Sequence, residues 1–151
     1  MIFPEPLRKG DIIGVTATSG GISKEKDIQK VENAIKNLSD LGYKVIETPN
    51  VRMEEKKFVS SSGEERAKEF FELYSNDDVK YIVSASGGEF LMEMLPYLDS
   101  YSLKEKKPKW VQGFSDTSLL LFYLTTKYNI ATVHGTNFGG YGRKEINFSY
   151  M

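Results

Sequence analysis

Apolar and polar positions along the chain alternate between two periods. Short β-branched runs at 12–17, 43–48, 81–85, 108–113 and 130–134 read as strands. Between them lie stretches with apolar residues three and four apart. A helix is expected over 24–41, with Ile28, Val31, Ile35 and Leu38 on one face, Ser23 as its cap and Gly42 as its stop. Residues 49–63 read as a polar loop closing on Ser60, Ser61, Ser62 and Gly63. A second helix is expected near 64–74, with Ala67, Phe70, Phe71 and Tyr74 inward, a short one over 90–98, and an apolar one over 117–128. Residues 135–142 form a glycine-rich loop and 143–151 a weak tail.

Strands that alternate with helices imply the α/β class, an open and mainly parallel sheet flanked by helices, of flavodoxin or Rossmann type. In such sheets ligands bind beyond the carboxyl ends of the strands. Four of the five expected strands end there in small or polar residues: Thr18-Ser19-Gly20, Ser86-Gly87-Gly88, Ser115-Asp116 and His134-Gly135-Thr136. The first three are expected to face one crevice.

Composition narrows the chemistry. The 151 residues are 40% hydrophobic and 27% charged, enough for one domain with a core. A formal net charge of -1 leaves no basic footprint for nucleic acid or an anionic membrane. There is no cysteine and a single histidine, so disulfides, thiolate nucleophiles and histidine-rich metal sites are excluded within the chain. No cofactor and no metal are expected. The first residues lack a basic, then apolar leader and no apolar run reaches membrane-spanning length, so a cytoplasmic protein is expected.

Gly113-Phe114-Ser115-Asp116-Thr117 stands between an apolar strand and an apolar helix, the context that a nucleophile elbow requires after the fourth strand. The second glycine of G-x-S-x-G is missing, and taken alone the commoner role of Ser115 or Asp116 is to cap the helix that follows. The glycines Gly87 and Gly88 would let backbone N–H groups approach a ligand, as an oxyanion hole needs, or would simply serve a turn. Ser19-Gly20-Gly21 at a helix start lacks any nucleotide-binding pattern. His134 at a strand end reads as a structural hydrogen-bonder rather than a base.

Several ordered stretches together carry a resemblance. They are 7–15, Ser62-Gly63-Glu64-Glu65-Arg66-Ala67, Gly87-Gly88 followed by Met94-Leu95-Pro96-Tyr97-Leu98-Asp99, Lys107-Pro108-Lys109, Gly113-Phe114-Ser115-Asp116-Thr117, and Thr132-Val133-His134-Gly135. In these the chain resembles the LD-carboxypeptidase family of serine peptidases, which includes muramoyl-tetrapeptide carboxypeptidases and microcin C immunity peptidases. Thr18, Thr117-Ser118 and Thr136 depart from that family's usual residues.

The resemblance implies a Ser-His-Glu triad with Ser115 as nucleophile. It implies an oxyanion hole from the backbone N–H groups of Asp116 and of Gly87 or Gly88. It implies residues 1–142 as an N-terminal nucleophile domain and 143–151 as the start of a linker or tail. The C-terminal domain that supplies the histidine and glutamate is expected to be absent, leaving the chain inactive alone. The expected substrate is a murein peptide cut at an L,D-amide, or alternatively a peptidyl-nucleotide, and a homodimer is expected. A non-catalytic α/β binding module is the competing reading. Residues 135–142 and Ile146, Phe148, Tyr150 and Met151 are expected to lack a partner within the chain.

Overall fold

The computed structural model describes residues 1–53 and 57–143. Five parallel strands, β1 (Ile12–Thr16), β2 (Lys44–Glu47), β3 (Val79–Ser84), β4 (Trp110–Gly113) and β5 (Val133–His134), form one sheet in the order β2-β1-β3-β4-β5. That is the flavodoxin-type order, and the chain reverses its direction of winding at β1 and β3. Helices α1 (Glu25–Asp40), α2 (Gly63–Ser75), α3 (Leu95–Leu98) and α4 (Ser118–Tyr128) make the crossovers. Among the described residues no helix is long and apolar enough to cross a membrane.

The pleat sends alternate side chains to opposite layers. Ile82 joins Phe70, Leu73, Met94, Val111, Leu120 and Leu124 beneath α2, α3 and α4. Its neighbour Val83 joins Ile13, Val15, Val31, Ala34, Leu38 and Phe138 beneath α1. Right-handed crossovers in this strand order put α1 alone on its face. The 3-10 turn Phe138–Gly142 shares that face and packs on α1, with Phe138 fully buried.

The end of α1 follows its sequence. Tyr43 N donates to Leu38 O at 3.0 Å and Gly42 N to Ser39 O at 2.9 Å, with Gly42 at φ 93. This is a Schellman ending, and glycine takes its left-handed position without steric cost. Helix α2 begins under Ser62, whose Oγ accepts from Glu65 N at 3.2 Å.

Other expectations are corrected. Ser23 does not cap α1; Lys24 occupies that position with no side-chain bond, its carbonyl taking Asp27 N and Ile28 N, while Glu25 and Asp27 place negative charge at the helix's positive end. The 49–63 stretch is not all loop: Pro49–Val51 is a 3-10 turn that buries Asn50 and Val51. Strand β5 is shorter than expected because Ile130 pairs with Ile2 instead. Ile2 N donates to Asn129 O at 2.7 Å and Ala131 N to Ile2 O at 2.8 Å, so the first residues form a strap across the far end of the sheet. Phe3 meets the Trp110 ring edge-on, and Trp110 Nε1 donates to Glu5 O at 3.1 Å. Residues 135–142 do have partners within the chain: 135–137 bond to Gln112, Gly113 and Phe114, and the turn Phe138–Gly142 packs on α1. Ile146, Phe148, Tyr150 and Met151 lie outside the described residues.

Candidate active site

Strand β4 ends in Gly113, and the chain turns at once into the 3-10 turn Ser115–Thr117 that leads into α4. Phe114 is still extended, at φ -142 and ψ 158, whereas Ser115 has φ 67. For a residue with a side chain this left-handed backbone is strained and needs support from its surroundings. The result is a strand-to-helix turn with Ser115 at its exposed tip. Neither Ser115 nor Asp116 caps α4: no side-chain cap bond is made there, and Asp116 Oδ2 accepts from Leu91 N at 2.9 Å instead. The capping alternative is thereby set aside.

Support comes from two sides. Asn137 Oδ1 accepts from Phe114 N at 2.9 Å, and Asn137 Nδ2 reaches Phe114 O at 3.4 Å, so one side chain braces the peptide groups ahead of Ser115. Below the turn, Thr117 Oγ1 lies 3.0 Å from Ser84 Oγ and 3.4 Å from Thr18 Oγ1, while Thr18 Oγ1 and Ser84 Oγ are 3.2 Å apart. This buried hydroxyl triangle joins the ends of β1, β3 and β4. Two of its members, Thr18 and Thr117, are departures from the residues that the resemblance would suggest, and here they make contact.

The glycine pair lies beside the elbow. A Cβ built on Gly87 would stand 3.0 Å from Ser115 Cβ and 3.2 Å from its Oγ; one on Gly88 would collide with the Ser19 hydroxyl and come within 2.7 Å of Gly20 N. Gly87 O accepts from Gly20 N at 2.9 Å. Three strand-end segments, 18–20, 86–88 and 115–116, therefore meet in one crevice. Its cavity of about 580 Å³ is lined by Gly87, Gly88 and Ser115, with Lys24, Lys57 and Phe58 among the other lining residues. A second cavity of about 280 Å³ shares Gly21 and Ser86 with it and extends past Phe114 to Asn137, Lys30 and Arg143.

His134 is exposed and stacks obliquely on Phe114, ring centroids 5.3 Å apart. Among the described residues no side chain is hydrogen-bonded to Ser115 Oγ, His134 included.

Sequence reading missed the residues that hold these loops. Arg66 is fully buried: Nη1 donates to Thr18 O at 3.1 Å and Phe90 O at 2.7 Å, Nη2 to Glu93 Oε2 at 2.5 Å, and Nε to Ser61 O at 3.0 Å. Burial pulls its pKa below the usual guanidinium value, opposed by Glu93 and Asp116. Asn50 brackets Ala17, accepting from its N at 3.1 Å and donating to its O at 3.0 Å, as a neighbouring strand would. Glu69 Oε2 in turn accepts from Asn50 N at 3.1 Å, and burial raises the pKa of that carboxyl. A polar residue at an apolar position of α2 is the one signal that marks Arg66 and Glu69.

A family model described as the LD-carboxypeptidase N-terminal domain matches residues 13–135. The microcin C7 self-immunity protein MccF of Escherichia coli is 31% identical over 134 residues, 89% of this chain and 38% of its own. A probable murein peptide carboxypeptidase of Bacillus subtilis is 28% identical over 132 residues, 87% of this chain and 40% of its own. Among solved structures, microcin C7 self-immunity protein in complex with aspartyl sulfamoyl adenosine superposes with a TM-score of 0.86 at 26% identity, over 99% of this chain and 44% of that one. An MccF-like protein from Bacillus anthracis gives 0.84 at 30% identity, over 96% and 43%. The chain thus spans about two fifths of the length of the curated relatives it matches.

Proposed function

The chain belongs to the LD-carboxypeptidase family, and on that premise we propose that it carries the nucleophile of a serine-type carboxypeptidase acting on an L,D-amide bond of murein peptides. The observation that carries the reading is Ser115 held in a left-handed backbone at the β4–α4 turn with Gly87 against its side chain. Ser115 Oγ attacks the amide carbonyl and gives its proton to a base. The N–H groups of Asp116 and of Gly87 or Gly88 stabilise the tetrahedral oxyanion. The amine departs with a proton, and water releases the acyl group from Ser115.

The base lies outside this chain in this reading, since Ser115 Oγ has no side-chain partner among the described residues. Residues 1–142 are then the nucleophile domain, with 143–151 beginning the connection to a C-terminal domain that brings histidine and glutamate. The setting is cytoplasmic peptidoglycan recycling. Self-association is part of the proposal, and sedimentation near and below micromolar concentration reads it.

A second substrate class has its own support. A relative is named for immunity to microcin C7, and its solved structures include complexes with aspartyl sulfamoyl adenosine and adenosine monophosphate. A peptidyl-nucleotide amide would be cut by the same chemistry.

The test fuses this chain to the C-terminal part of the Bacillus subtilis carboxypeptidase and follows D-alanine release from murein tetrapeptide, with an aspartyl sulfamoyl nucleoside as parallel substrate. Release by the fusion, its loss on Ser115→Ala, and silence from the chain alone are expected. Turnover by the chain alone, lost on Ser115→Ala, would move the base into this chain. A folded fusion inert to both substrates would favour a binding module.

A further inference from the structure

Phe90 and Leu91 follow the glycine pair and share one peptide group that is gripped at both poles. Its carbonyl oxygen accepts from Arg66 Nη1 at 2.7 Å. Its N–H donates to Asp116 Oδ2 at 2.9 Å. The cation sits at the negative pole of the peptide dipole and the anion at the positive pole, so both charges favour the same orientation of the plane. Phe90 N is also taken, by Ser19 Oγ at 3.0 Å. Arg66 is anchored at its other edges by Thr18 O, Ser61 O and Glu93. Asp116 is the residue next to Ser115.

We infer that Arg66 and the Asp116 side chain are positioning residues, which by gripping the Phe90–Leu91 peptide fix the Gly87-Gly88 turn against Ser115. The inference takes its catalytic meaning from the proposed nucleophile role of Ser115, but the clamp itself is measurable without catalysis. It gives Asp116 two duties: its N–H is the proposed oxyanion donor, and its carboxylate reaches back to Leu91 N, just beyond the glycine turn. An arginine is suited to the task because its planar fork serves Thr18 O and Phe90 O from one nitrogen while Nη2 holds Glu93. A lysine at 66 would lack that fork.

The test uses the full chain labelled with 15N as wild type, Asp116→Asn, Arg66→Lys and Arg66→Gln. In Asp116→Asn the Leu91 amide resonance should move upfield as its carboxylate acceptor is lost. The amides of Phe90 and Gly20, bonded to Ser19 Oγ and to Gly87 O, should exchange about tenfold faster or more, while Ala34 and Leu38 in α1 change by less than about twofold. Arg66→Gln should act on the same amides, and Arg66→Lys should restore them only in part. In the fusion enzyme these variants should lower kcat with little change in KM. An unmoved Leu91 resonance with unchanged Phe90 and Gly20 exchange in Asp116→Asn, or exchange rising equally in α1, would overturn the clamp. If Arg66→Gln does not fold, Asp116→Asn and Arg66→Lys decide. An inert fusion whose amides nonetheless respond as expected would sink the nucleophile reading and leave the clamp standing.

Discussion

Thr18 Oγ1 and Thr117 Oγ1, from the ends of β1 and the elbow, lie 3.4 Å apart in a buried contact that also includes Ser84 Oγ. Ser84 Oγ also donates to Ser86 O at 2.8 Å, so it enters the triangle as the acceptor that Thr18 and Thr117 can share. Removing one leaves the remaining two a partner. Thr18→Val and Thr117→Val should each cost about 1 kcal/mol, and the double variant should differ from their sum by about 0.5 kcal/mol or more. Urea unfolding of the four proteins measures it, and strict additivity would show that the triangle is not a unit.

The strain at Ser115 is separable from its chemistry. A left-handed backbone costs a non-glycine residue about 1 kcal/mol or more. Ser115→Ala keeps that cost and Ser115→Gly removes it. Ser115→Gly should therefore be more stable than Ser115→Ala by about 0.5–1 kcal/mol, after allowing for the greater freedom of glycine in the unfolded chain. Equal unfolding midpoints would mean that the turn relaxes around either residue.

The two glycines of the pair should fail differently. A methyl on Gly87 meets the Ser115 side chain, which can give by tenths of an ångström, whereas one on Gly88 meets the Ser19 hydroxyl and the Gly20 backbone. Gly87→Ala should cost about 1 kcal/mol of stability yet about a hundredfold in kcat of the fusion enzyme, because oxyanion donors act over tenths of an ångström. Gly88→Ala should be the more destabilising of the two. Thermal unfolding of both, set beside D-alanine release, distinguishes these outcomes.

Lys109, at the far end of β4, is buried and donates Nζ to Asn76 O at 2.7 Å and Val79 O at 2.5 Å. Burial, with Lys80 nearby, lowers its pKa to about 8. The unfolded chain holds that proton to about pH 10.4. Between those values the unfolded state binds more protons, so this group's contribution to stability rises with pH across about 8 to 10.4. Relative to Lys109→Met, the wild type should gain about 1–3 kcal/mol on going from pH 7 to pH 10.5. A pH-independent difference between the two would show that the carbonyls keep Lys109 charged throughout.

The fold was legible because its signals are local. The β-branched runs, the periodicity of α1 and the stop at Gly42 each need only neighbouring residues to act. The elbow was legible as a context, an apolar strand and an apolar helix joined at Ser115, but its alternative as a cap was settled only by where Asp116 points. Arg66, Asn50 and Asn137 were not legible in their roles, because each bonds to backbone far along the chain and backbone groups carry no sequence. Ser23 misled for the converse reason: a good capping residue went unused where the Lys24 carbonyl and two acidic residues already served the helix start.

The strap formed by the first residues has a consequence in time. Ile2 finds its partners in Asn129 and Ala131, nearly at the other end of the described chain. During synthesis at about 5–20 residues per second, Ile2 waits about 6 to 26 seconds before those partners are made. Contacts of such long sequence separation form late. The sheet can be laid down from β1 to β4 first, and the far edge closes last, when the beginning of the chain returns to meet it.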